Sequence, residues 1–177
     1  MNYRTLGSTG IKVSEIGLGC EGFVGRGEKF AAELMNAAIT AGINCLDLYS
    51  PDPDVRSFIG NALRGRRDDF VLQAHLCTVW QGGQYKCTRK MEEIVPSFED
   101  LLARLETDYI DIGMFHYVDS PAAWREIADG AIMKYALELR KSGRIRSVGL
   151  SSHNPKAALA AVESGLIDVL MFSVNPC

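Results

Sequence analysis

Asp47 and Tyr49 close an apolar run, "INCLDLY", and the proline-punctuated segment "SPDPDV" that follows adds Asp52 and Asp54. Carboxylates are seldom placed at the mouth of a core strand for stability alone, because one that loses its water is costly or changes its pKa. Two imidazoles occupy similar positions: His75 ends "FVLQAHL", and His116 falls late in "YIDIGMFHYV". Carboxylate, phenol and imidazole at adjoining strand ends can move a proton to or from an oxygen, and histidine titrates closest to neutrality. The set Asp47, Asp52, His75 and His116 is also a plausible group of ligands for a divalent ion, which would make a hydrolase or lyase. Simpler roles stand beside these. Asp52 and Asp54, next to Pro51 and Pro53, suit a turn and a helix cap, and His75 suits a satisfied core histidine.

The elements that must position these groups alternate. Short runs rich in Ile, Val and Leu cover 15–20, 43–49, 70–76, 109–118, 145–152 and 167–174, and helical spacing covers 28–41, 53–65, 89–105, 122–142 and 155–164. Asn154 with Pro155 behind it and Gly165 past the end marks the last helix clearly. Such β–α units build a parallel sheet with right-handed crossovers. Ahead of them, "YRTLGSTGIKVS" predicts a β-hairpin that caps the bottom of a barrel. The segment "TVWQGGQYKCTRK" after the third strand is a candidate substrate lid or a long surface loop, and Arg56 and Arg89 are candidate anion contacts by location.

Six strands predict a (β/α)8 TIM-barrel type of fold truncated after strand six, since a closed barrel needs eight strands and about 250 residues. Residues 1–177 then form a single partial barrel domain whose first and last strands have open edges, to be covered by self-association or by a missing C-terminal segment. The rival is a six-stranded open doubly wound sheet, complete at this length.

Composition narrows the function. With 47% hydrophobic and 23% charged residues and a net charge of -3, the chain reads as an ordinary globular domain with no general attraction for nucleic acid or anionic lipid. No apolar run approaches the ~20 residues that span a bilayer, and the N-terminus lacks a secretion signal, so a cytoplasmic protein is expected. Five cysteines without C-x-x-C spacing argue against a disulfide framework or an iron–sulfur cluster in this chain; Cys20 and Cys77, just past apolar strands, are the two that invite attention.

Six segments, "YRTLGSTGIKVSEIGLGC", "GINCLDLY", "RRDDFVLQ", "RLETDYIDIGMFH", "SGRIRSVGLSSHNP" and "GLIDVLMFSVNP", together resemble the first two thirds of an aldo-keto reductase. The likeness is closest to a bacterial branch whose longer members resemble reductases with a ferredoxin-like segment after the barrel. The resemblance implies an NADP(H)-linked reductase acting on a small-molecule carbonyl or alcohol, with an Asp, Tyr, Lys and His at the strand ends. Asp47 and His116 match that pattern, whereas the tyrosine falls on Asp52, with Tyr49 three residues early, and the lysine falls on His75. Three routes follow: Tyr49 acts from a rearranged loop; His116 or a protonated His75 is the acid, with Asp47 favouring the charged form; or the chain does not reduce carbonyls. Ser151, Ser152 and Asn154 occupy the nicotinamide-gripping position, and Met171 stands where the family has glutamine. NADP(H) binding by this chain alone is therefore expected to be weak. A non-catalytic oligomerising binding module is the remaining alternative.

Overall fold

The computed structural model describes residues 1–175; Cys177 lies outside them. Six parallel strands, β3 (Leu18–Gly19), β4 (Cys45–Leu48), β5 (Val71–His75), β8 (Ile110–Phe115), β9 (Ile145–Ser152) and β10 (Val169–Phe172), lie side by side in the order of the chain. Helices connect them: α1 (Glu28–Ala41), α2 (Pro53–Leu63), α3 (Met91–Leu105), α4 (Pro121–Ala128), α5 (Ala131–Lys141) and α6 (Pro155–Glu163). A doubly wound sheet would reverse strand order at a switch point. This one never does, and the strands form a curled half-barrel that ends at β3 on one side and β10 on the other.

Alternation along the strands sorts the side chains. Leu46 and Leu48 on β4 and Leu72 and Ala74 on β5 join the main core with the helix residues Ile59 and Phe98. The intervening positions therefore face the inside of the curl: Cys45 and Asp47, then Val71, Gln73 and His75, then Ile112 and Met114. The register pairs Asp47 with Gln73 and His75 with Met114, so the polar inward positions gather at the C-terminal ends of neighbouring strands.

The N-terminal ends are closed by the predicted hairpin, β1 (Tyr3–Thr5) and β2 (Lys12–Ser14), which pairs antiparallel. Its Ile11 and Val13 pack on Val71, Ile112 and Met114, sealing the inside of the curl with apolar contacts. Asn44 locks it in place, accepting from the Ser14 amide at 2.7 Å and donating to the Lys12 carbonyl at 2.9 Å.

Two expectations change. The stretch after β5, expected as a lid or a long surface loop, is a second hairpin, β6 (Thr78–Gln81) and β7 (Gln84–Cys87). Its two-residue turn needs left-handed backbone at both positions, which Gly82 and Gly83 supply with φ of +61° and +76°. The single helix expected over 122–142 is two, because Gly130 adopts an extended conformation between α4 and α5. A β-carbon there would lie 2.4 Å from the Glu126 carbonyl oxygen.

Candidate active site

At the C-terminal ends of the strands a cavity of about 450 Å³ opens, and the side chains of Asp47, Tyr49, His75, His116, Ser151 and Ser152 line it. Asp47 is the penultimate residue of β4, His75 ends β5 and His116 follows β8, so three adjacent parallel strands deliver them to one place. They form a chain of contacts. The Asp47 carboxylate oxygen lies 3.1 Å from His75 Nε2, and His75 Nδ1 lies 2.5 Å from His116 Nδ1. Gln73 donates to the same Asp47 oxygen at 3.1 Å and fixes the carboxylate from the side.

The hydrogen-bond logic fixes the protons. With Nε2–H of His75 donating to Asp47, only one of the two facing Nδ1 atoms can carry a hydrogen. His116 resists charge: burial above all, with His75 and Arg89 adding to it, holds its pKa down at about 3, and Asp47 only partly opposes them. Asp47 does favour the charged form, as expected from the sequence, but burial together with His75 and Arg89 outweighs it, so His116 stays neutral. The neutral His116 keeps Nε2 buried without a hydrogen-bond partner among the described residues.

Rings surround this pair. Tyr49 lies with its centroid 5.4 Å from that of His116 and 5.1 Å from that of Tyr85, which reaches in from β7. Burial, with Glu21 second, raises the pKa of the Tyr49 phenol, and burial with the neighbouring Cys87 raises that of Tyr85. No lysine lines the cavity among the described residues, so neither phenol has the cation that would make it a better acid. Tyr117 completes the wall, 5.4 Å from His116, with φ of +56° that a bulky residue rarely adopts. Arg89 pins that turn by donating to the carbonyls of His116 and Tyr117 at 2.8 and 3.4 Å. Arg89 is thus a clamp rather than an anion contact, and Arg56 likewise is occupied by Asp100 and the Ser97 carbonyl.

Other predicted site residues are placed elsewhere. Asp52 is the N-cap of α2, its carboxylate accepting from the amides of Asp54 and Val55 at 2.9 and 3.0 Å, with Pro53 opening the helix. It does not line the cavity. Asn154 is also spent as a cap, accepting from the amides of Lys156 and Ala157 at 3.0 and 3.1 Å. Ser152 donates to the Val118 carbonyl at 2.7 Å, whereas Ser151 accepts from the Tyr117 amide at 3.2 Å and lies 3.5 Å from His116 Nδ1 on the cavity wall. Of the three residues expected at the nicotinamide, Ser151 and Ser152 line the cavity and Asn154 does not. Met171, Phe172 and Ser173 form the cavity rim beside it.

Among the described residues no cluster of three or more His, Cys, Asp and Glu side chains is arranged to hold a metal ion. Asp52 points into its own helix and Asp47 braces the far nitrogen of His75, which removes support for the metal-dependent hydrolase or lyase. Sequence reasoning missed Glu21, Tyr85 and Tyr117. The Gly-Gly pair flanked by "TVWQ" and "QYKC" was a usable hairpin signal for Tyr85, but nothing local announces a left-handed tyrosine.

Comparisons with known proteins agree with this architecture. The profile of the aldo/keto reductase family matches residues 15–176. Aldo-keto reductase YhdN of Bacillus subtilis is 32% identical over 161 residues, covering 86% of this chain and 47% of that protein. The 6-dehydroglucose reductase of Novosphingobium aromaticivorans is 30% identical over 166 residues, covering 85% and 51%. Among solved structures, aldo-keto reductase AKR11C1 from Bacillus halodurans in its holo form superposes with a TM-score of 0.81 at 29% identity, over 98% of this chain and 58% of that one. The chain thus spans about half the length of the curated relatives it matches. With its profile match, its strand order and its strand-end site, the chain belongs to the aldo/keto reductase family.

Proposed function

We propose that the chain carries the catalytic strand ends of an NADP(H)-linked, cytoplasmic oxidoreductase acting on a small carbonyl or alcohol, in which a histidine pair replaces the tyrosine and lysine as proton donor. The observation that carries this reading is the unbroken contact chain from Asp47 through His75 to His116 at the cavity wall. Family membership leaves a purely non-catalytic module without support. Ser151 is the residue suited to the nicotinamide carboxamide, and the bound cofactor would supply the hydride.

The protein's part is the proton. A carbonyl oxygen gains negative charge as its carbon is reduced, and a positioned acid is worth roughly 10²–10⁴ in rate. Because His116 is kept neutral, an extra proton on the pair resides on His75, where Asp47 faces it. His75 then donates from Nε2 to Asp47 and from Nδ1 to His116 Nδ1, which leaves His116 with a hydrogen on Nε2. As the substrate oxygen takes that hydrogen, the Nδ1 proton crosses from His75 to His116. Asp47 never gives up its charge. The tyrosine rings packed on His116 must turn aside to admit the substrate, which also keeps water from the relay.

Two variants test the reading in an NADPH-consumption assay on an aldehyde. His75→Gln is expected to lower kcat by roughly 10² or more, whereas Tyr49→Phe retains most of it. The opposite ranking would make Tyr49 the acid and end the relay. Fluorescence titration with NADPH measures cofactor affinity separately, with Ser151→Ala expected to weaken it.

A further inference from the structure

The cavity has an electrostatic character that the reduction chemistry does not require. Glu21 and Asp47 line it, and no lysine or arginine does so among the described residues. The Arg89 guanidinium beside it is turned to the backbone carbonyls of Thr88, His116 and Tyr117. His116 stays neutral and offsets neither carboxylate. The rest of the wall is aromatic: Tyr49 and Tyr85 meet at 5.1 Å between centroids, and Tyr117 lies 5.4 Å from the His116 ring that both touch. Tyr117 is 53% exposed and is held in its unfavourable backbone conformation by Arg89, so its ring is kept at the mouth instead of being buried.

Aromatic faces carry negative potential, and several of them beside a carboxylate form the surroundings in which organic ammonium groups are bound in place of water. Asp47 is engaged by His75, whereas Glu21 has no ion-pair partner among the described residues, so a carboxylate-bearing or phosphorylated substrate would meet a like charge there. We infer that the cavity selects carbonyl substrates carrying a cationic nitrogen, seated against Tyr49, Tyr85 and Tyr117 and neutralised by Glu21. The carboxylate of Glu21 is felt at this wall, being the leading charge that opposes ionisation of Tyr49. The inference rests on the proposed carbonyl chemistry only for the word substrate; recognition of the cation is a property of the cavity itself.

Choline and its neutral isostere 3,3-dimethylbutan-1-ol, titrated calorimetrically into the full chain without cofactor, test it directly. Choline is expected to bind about tenfold more tightly, the range of a desolvated cation–π contact. Glu21→Gln and Tyr117→Leu should each shrink that preference while leaving the thermal unfolding profile unchanged, because both side chains lie at the surface. Equal affinities for the two alcohols, no binding of choline, or a preference untouched by both substitutions would overturn the inference. Failure of the reductase reading shows differently: choline preference intact, with no NADPH-dependent turnover of trimethylammonioacetaldehyde or of 3,3-dimethylbutanal. Equal kcat/KM for those two aldehydes would keep the reductase and remove the cation.

Discussion

Asp52 and His75 stand where the family pattern has its tyrosine and lysine, and the structure treats them differently. Asp52 has become a helix cap with both of its acceptor bonds on its own helix. Replacing it by Asn, an equally good cap, should leave stability within a few tenths of a kcal/mol, whereas Ala should cost about 1 kcal/mol in urea unfolding; neither should alter substrate affinity. His75 instead joins the site. The depressed pKa of His116 gives a second test. Its folded value of about 3 lies below the ~6.5 of an unfolded histidine, so between those values the unfolded chain holds one more proton. Stability is therefore expected to fall as pH drops from about 6.5 toward 3, and urea midpoints of His116→Asn should show a shallower slope over that interval. A slope unchanged by the substitution would mean that His116 is charged in the folded protein.

At the scale of elements, strand periodicity was legible because inward and outward positions differ chemically: Leu46 and Leu48 go to the helices, and Asp47 between them goes to the cavity. The α6 boundaries were equally plain from Asn154 and Pro155. What could not be read were features set by distant contacts. The break at Gly130 leaves no room for a β-carbon beside the Glu126 carbonyl, and amphipathic spacing runs straight through it. Gly60 shows the same effect between helices. A β-carbon there would lie 2.3 Å from the Arg104 carbonyl oxygen and 2.9 Å from Leu105 Cα, so α2 and α3 approach each other through this gap. Because backbone cannot move aside as a side chain can, Gly60→Ala is expected to destabilise by about 1–3 kcal/mol, measured as a drop in urea midpoint. That Tyr49 stands three residues before the family's tyrosine position was visible in the sequence; that His116 would be neutral was not, since burial and the neighbouring His75 decide it.

For the whole molecule, the curled sheet leaves β3 and β10 each paired on one side only among the described residues. The β10 edge also exposes Leu170 and Met171, with Leu159 and Val162 of α6 beside them. Unpaired strand edges next to apolar side chains favour association. Sedimentation at increasing concentration is expected to show species heavier than the 19.4 kDa monomer, and Leu170→Lys to shift them back; a strictly monomeric wild type would remove the argument. No helix among the described residues is long and apolar enough to cross a membrane.

The chain contains three histidines, and His75, His116 and His153 all line the same cavity. Every imidazole resonance in a proton spectrum of this protein therefore originates at the candidate site. Their six carbon-bound ring signals, two from each imidazole with no histidine elsewhere in the chain, make the unlabelled protein its own spectroscopic reporter of what enters that space.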